Sequence, residues 1–129
     1  MKYNVKGLNK LSKQFNNFVV KAGFDNNDIP LRIALIHSEV SEAFEAYRND
    51  KYADIEQYIE GIAFGNKLDE NFKEVFKYTM KDTFEDELAD SIIRLLDLCG
   101  KLNIDIETHI QSKMDYNHTR GFKYGGKKF

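Results

Sequence analysis

The sequence predicts an all-α protein, a bundle of four to six helices, on three observations. Apolar residues recur at three- and four-residue spacings through most of the 129 residues. No stretch alternates apolar and polar residues convincingly enough to read as a strand. Residues that start and stop helices fall between the periodic segments: Pro30, Thr83, Asn103 and Asp105.

Leu8, Leu11, Phe15, Phe18 and Val19 share one helical face and define a first helix. Gly23 and the run Asp25-Asn26-Asn27-Asp28 end it. Pro30 suits the first turn of a second helix, where no backbone donor is lost, and this helix runs to about Arg48. Between Asn49 and Asp82, Ile55, Tyr58, Ile59 and Ile62, and then Phe72, Val75, Phe76 and Met80, predict one or two short helices interrupted by Gly61 and Gly65. Thr83 is a candidate N-cap for a helix through Leu102 that Asn103 ends. Asp105 caps a last helix reaching about Arg120, and the basic tail from Gly121 to Phe129 reads as irregular.

A chain of this length favours one domain, 1–129, in which 49–82 is a helical insertion. Hydrophobic residues make up 42% and charged residues 31%, as in ordinary globular proteins. The formal net charge of −2 argues against a chain that grips nucleic acid through its overall field, and no nucleic-acid partner is expected. No apolar run approaches the ~20 residues that cross a bilayer, so no membrane partner is expected either. The N-terminus lacks the apolar stretch of a secretory signal, and the lone Cys99 cannot form an internal disulfide. Together these features lead us to expect a cytoplasmic protein.

The chemistry-bearing residues are carboxylates. Glu39 and Glu42 sit three apart on the second helix and are neighbours on its surface. Projected at ~100° per residue, they fall between Leu31, Leu35, Ala43 and Ala46, on a face that wants burial. Carboxylates so placed are costly unless paired or bound to a metal. Glu87 and Asp90 repeat the spacing on the later long helix, with Glu87 bordering the stripe of Phe84, Leu88, Leu95 and Leu98. If the two helices pack antiparallel, four carboxylates converge in an oxygen-only site that suits Mg²⁺ or Mn²⁺. Acidic residues three apart also decorate many solvated helices, so one pair alone says little.

Other signals carry less. Gly121 to Lys128 nearly spells a phosphate-binding loop, but lacks the final Ser or Thr and the strand before it. His37, His109 and His118 show no zinc-site spacing with one another or with Cys99, which sits in an apolar run as a core thiol. No Glu is followed three residues later by His, which argues against a di-iron carboxylate bundle.

Three ordered stretches carry a family resemblance: His37-Ser38-Glu39-Val40-Ser41-Glu42-Ala43, then Glu87-Leu88-Ala89-Asp90, then Lys113-Met114-Asp115-Tyr116-Asn117-His118-Thr119-Arg120. Together they resemble the MazG-like all-α nucleotide pyrophosphohydrolases, in particular the small dCTP pyrophosphatases and single-domain MazG-like proteins. The resemblance covers roughly 8–48 and 83–129, and the family's frequent extra acid in the first motif is Ser38 here. It implies a bundle of MazG-like architecture that hydrolyses a nucleoside triphosphate to a monophosphate and pyrophosphate in nucleotide-pool house-cleaning. It implies metal binding by Glu39, Glu42, Glu87 and Asp90, with Glu39 or Glu42 as the base. It implies phosphate binding by Lys113, Asn117 and Arg120. The base of the nucleotide is expected to meet aromatic residues such as Phe15, Phe18 and Phe24.

The apolar residues Ile33, Val40, Phe44 and Tyr47 lie on a different side of the second helix from Glu42. Ile92, Ile93 and Leu96 broaden the stripe of the later one. Apolar surface on two sides asks for two partners, and a homodimer or homotetramer is expected. Two alternatives stay open: a helical interaction module without catalysis, and a phosphoribosyl-ATP pyrophosphohydrolase-like enzyme.

Overall fold

The structure, a computed structural model, describes residues 3–25, 27–63, 65 and 70–129. All its regular elements are helical: α1 (Leu8–Lys21), α2 (Ile29–Arg48), α3 (Ile55–Ile62), α4 (Glu70–Thr79), α5 (Phe84–Lys101), α6 (Ile106–His118) and α7 (Lys123–Gly126). Among the described residues these seven helices exceed the expected four to six, because the tail, read as irregular, contains one helical turn. Tyr124 (φ 49°) and Gly125 (φ 89°) depart from helical backbone inside that turn. Asn26 of the expected break after α1, and part of 49–82, lie outside the described residues. Among the described residues no helix is long and apolar enough to cross a membrane.

The chain divides into two compact units, 26–94 and 1–25 with 95–129. In the first, Asp28 accepts from the Leu31 amide at 3.0 Å, with Pro30 in the opening turn of α2. Asp50 ends that helix in the left-handed region (φ 54°), and the Lys51 amide closes back on the Ala46 carbonyl at 2.9 Å. The Lys51 carbonyl then accepts from the Phe84 amide at 2.8 Å, tying the end of α2 to the start of α5. Thr83 caps α5 as expected, accepting from the Asp86 amide at 3.3 Å.

The segment between α2 and α5 forms a helical pair. Asp54 caps α3 through the Gln57 amide at 3.0 Å. Gly61 lies inside α3 rather than interrupting it. A Cβ there would stand 2.6 Å from Val75 Cγ1, so the absence of a side chain lets α3 approach α4. Tyr58 meets Phe72 edge-on and Phe72 meets Phe76 at a tilt, packing the pair together.

In the second unit α1 lies against α6. Glu107 Oε1 accepts from the Gly7 amide at 2.7 Å and the Asn9 amide at 3.2 Å, filling donors that the start of α1 leaves open. Asn9 Nδ2 in turn donates to Asp105 Oδ1 at 2.8 Å. Asp105 also caps α6 through the Thr108 amide, and these bonds hold its carboxyl down to about 2. Gly100 of α5 meets the Ser12 backbone so closely that a Cβ would collide with it. Cys99 is half-buried, and that burial pushes its thiol up.

Candidate metal centre

α2 and α5 run antiparallel in their side-chain contacts. Glu39 meets Arg94, Glu42 meets Glu87, and Tyr47 meets Phe84, so rising order on one helix matches falling order on the other. Glu39, Glu42 and Glu87 each bring a carboxylate oxygen within 4.8 Å of the other two. Glu39 and Glu87 are buried, each 7% exposed, whereas Glu42 opens to solvent.

The expected apolar stripe around these acids is only partly buried. Ala43 and Ala46 are inside, but Leu31 and Leu35 are exposed. Small side chains at 43 and 46 let α2 seat Glu39 inward, while the one-turn-later Glu42 sits at the rim. Asp90 lies outside the group of three. Its carboxyl is raised by burial, then by Asp86 and Glu39, with Arg94 opposing.

The electrostatics follow from like charges held together. Burial pushes the Glu87 carboxyl up to about 7, reinforced by Glu42 and Glu39. Glu42 is raised by a hydrogen bond and repulsion from Glu39 and by burial, opposed by Glu87 and Arg94. A basic side chain also enters: Arg94 Nε donates to Glu39 Oε1 at 2.6 Å. Sequence reading missed Arg94. Its place four residues after Asp90, facing an antiparallel Glu39, is the signal that would have found it.

Asp82, Asp86 and Glu87 form a second group of three acids within 4.8 Å, sharing Glu87 with the first. Within it Asp86 Oδ2 accepts from the Asp82 amide at 3.0 Å, and Lys81 Nζ pairs with Asp82 Oδ2 at 2.6 Å. Beside the acids lies a cleft of about 290 Å³ lined by Glu42, Glu45, Ala46, Asn49, Lys51, Asp82 and Glu87.

The residues expected to hold substrate belong to the other unit. Lys113 and Asn117 lie on α6 and Arg120 just beyond it. The Lys113 ammonium sits 5.4 Å from the Tyr116 ring centre, and the Arg120 guanidinium 5.7 Å from Tyr116 and 4.1 Å from Tyr124. Asn117 Oδ1 is buried without a hydrogen-bond partner among the described residues. Phe24 and Phe18 are exposed, at 71% and 72%, and Phe15 is half-buried.

Comparison with protein-family models, with curated proteins and with solved structures finds no match to this chain.

Proposed function

We propose that this chain is a metal-dependent nucleoside triphosphate pyrophosphohydrolase of MazG-like architecture, converting a (d)NTP and water to a (d)NMP and pyrophosphate. The observation that carries the reading is the meeting of Glu39, Glu42 and Glu87 from two antiparallel helices. The donor set fits a divalent cation. It is all carboxylate oxygen, and Glu87 is buried among acids with no ion pair to a basic residue among the described ones. Glu39, Glu42 and Glu87 would hold Mg²⁺ or Mn²⁺, with Asp90 at the margin. When bound, the cation supplies positive charge that offsets substrate repulsion and polarises the α-phosphoryl group.

The chain's own residues divide the remaining work. Arg94 fixes Glu39 by donating to its Oε1, so we assign Glu39 to holding the cation. Glu42 is exposed and raised, and we assign it the proton of the attacking water. The bond from water oxygen to the α-phosphorus forms as the bond to pyrophosphate breaks. By the family resemblance Lys113, Asn117 and Arg120 are phosphate-binding residues and Phe24 a base-binding one, all in the unit formed by 1–25 and 95–129.

Turnover in ¹⁸O-labelled water tests the reaction. Label is expected in the nucleoside monophosphate; label confined to orthophosphate rejects attack at the α-phosphorus.

The same reading includes a homo-oligomer, a dimer or a dimer of dimers. Val40, Phe44 and Tyr47 stand at four- and three-residue steps on one side of α2 and are 53%, 61% and 56% exposed. Ile92 of α5 is 57% exposed as well. Covering one large apolar side chain is worth about 1.5–3 kcal/mol, so a stripe of this kind favours association with a second copy. Phe44→Glu is expected to convert the oligomer to monomer in sedimentation equilibrium at micromolar concentration. A wild-type chain that sediments as a monomer refutes the assembly.

A further inference from the structure

We infer that Lys51 binds the phosphate chain of the substrate, a role resting on the metal-dependent reading above and assigned by neither motif spacing nor resemblance. Three other basic residues are each paired with an acid of this centre or its cleft. Arg94 pairs with Glu39 at 2.6 Å, Arg48 with Glu45 at 3.3 Å, and Lys81 with Asp82 at 2.6 Å. Lys51 lines the same cleft as Glu42, Glu45, Asp82 and Glu87, yet it forms no ion pair with any described residue.

Its position is built, not incidental. Asp50 takes a left-handed backbone (φ 54°), which aspartate adopts more readily than most side chains. That turn reverses the chain at the end of α2. Main-chain hydrogen bonds of 2.9 Å to Ala46 and 2.8 Å from Phe84 then hold Lys51 on both sides. A fixed backbone carrying a long, solvated ammonium suits a ligand whose phosphate oxygens vary in position.

The cleft therefore brings groups of opposite sign together. Glu42 and Glu87 offer carboxylate oxygens to a cation, and Lys51 offers an ammonium to an anion. A cation–polyphosphate complex answers both at once, with its cation toward the acids and its phosphate oxygens toward Lys51. A bare anion would meet four carboxylates in the lining, and a bare cation would leave the lysine unanswered.

Calorimetric titration separates the possibilities, using Mn²⁺ alone and then pyrophosphate with Mg²⁺ present. For Lys51→Met, pyrophosphate affinity is expected to fall roughly ten- to a hundred-fold, the range for a lost charged hydrogen bond. Mn²⁺ affinity should stay equal or tighten, since a repelling charge is removed. Lys51→Arg should restore pyrophosphate binding to within a few-fold. Wild-type pyrophosphate affinity in Lys51→Met overturns the assignment and leaves the metal centre standing. Absence of Mn²⁺ binding by the wild-type chain overturns both.

Discussion

Glu42→Ala is expected to lower kcat for Mg²⁺-dependent triphosphate hydrolysis at least ~100-fold, because it removes both a metal ligand and the proposed proton acceptor. Glu42 is exposed and at the rim of α2, so its removal opens no cavity in the packed interior. The fold should survive, and far-ultraviolet circular dichroism should be unchanged. Asp90→Ala gives the internal comparison. Asp90 stands outside the group of three acids, so its loss should weaken turnover less than the loss of Glu42. Arg94→Met should act differently again, freeing Glu39 and disturbing the geometry of the cluster without removing a carboxylate. Near-normal turnover in Glu42→Ala, with the fold intact, rejects the assignment of the centre.

The long helices were legible because their signals are local. Pro30 and Arg48 bracket α2 to within a residue, and Thr83 and Asp105 cap the helices expected of them. The three-residue spacing offered Glu39, Glu42, Glu87 and Asp90 as one group only if the helices packed antiparallel; the packing brings the first three together and leaves Asp90 outside. Gly61 misled because a glycine in a helix reads as a break, whereas here the reason is a neighbour, Val75, which sequence spacing cannot reveal. Leu31 and Leu35 misled for the converse reason: apolar identity does not say which apolar face is covered within one chain. Arg94 and Lys51 were missed because their meaning depends on what stands opposite. Arg94 reads as one more basic residue until Glu39 faces it, and Lys51 as a loop lysine until the cleft appears.

Glu87 offers the second large effect, and it concerns stability. A carboxylate usually gains stability from ionising in the folded state; this one loses it, because burial and two neighbouring acids push it up from 4.5 to about 7. Between those values the folded chain keeps a proton that the unfolded chain has released. The proton's contribution is therefore complete in acid and disappears as pH rises from about 4.5 through about 7. The interval corresponds to on the order of 3 kcal/mol, with Glu42 and Asp90 shifted in the same direction. In EDTA the melting temperature should thus be higher at pH 5.5 than at pH 8, by roughly 5–10 °C. Mn²⁺ should reverse the trend, since it supplies at pH 8 the positive charge that protons supply in acid and must compete with them below neutrality. Glu87→Gln keeps the shape and removes the charge. It should raise the cation-free melting temperature at pH 8, flatten the pH profile, and abolish most of the gain from Mn²⁺. Melting curves followed by circular dichroism across pH, with and without Mn²⁺, read all three. A Glu87→Gln chain that melts lower than wild type in EDTA at pH 8 would mean that the carboxylate serves the fold as an anion. Glu87 would then have a stabilising partner in place of the like charges that surround it.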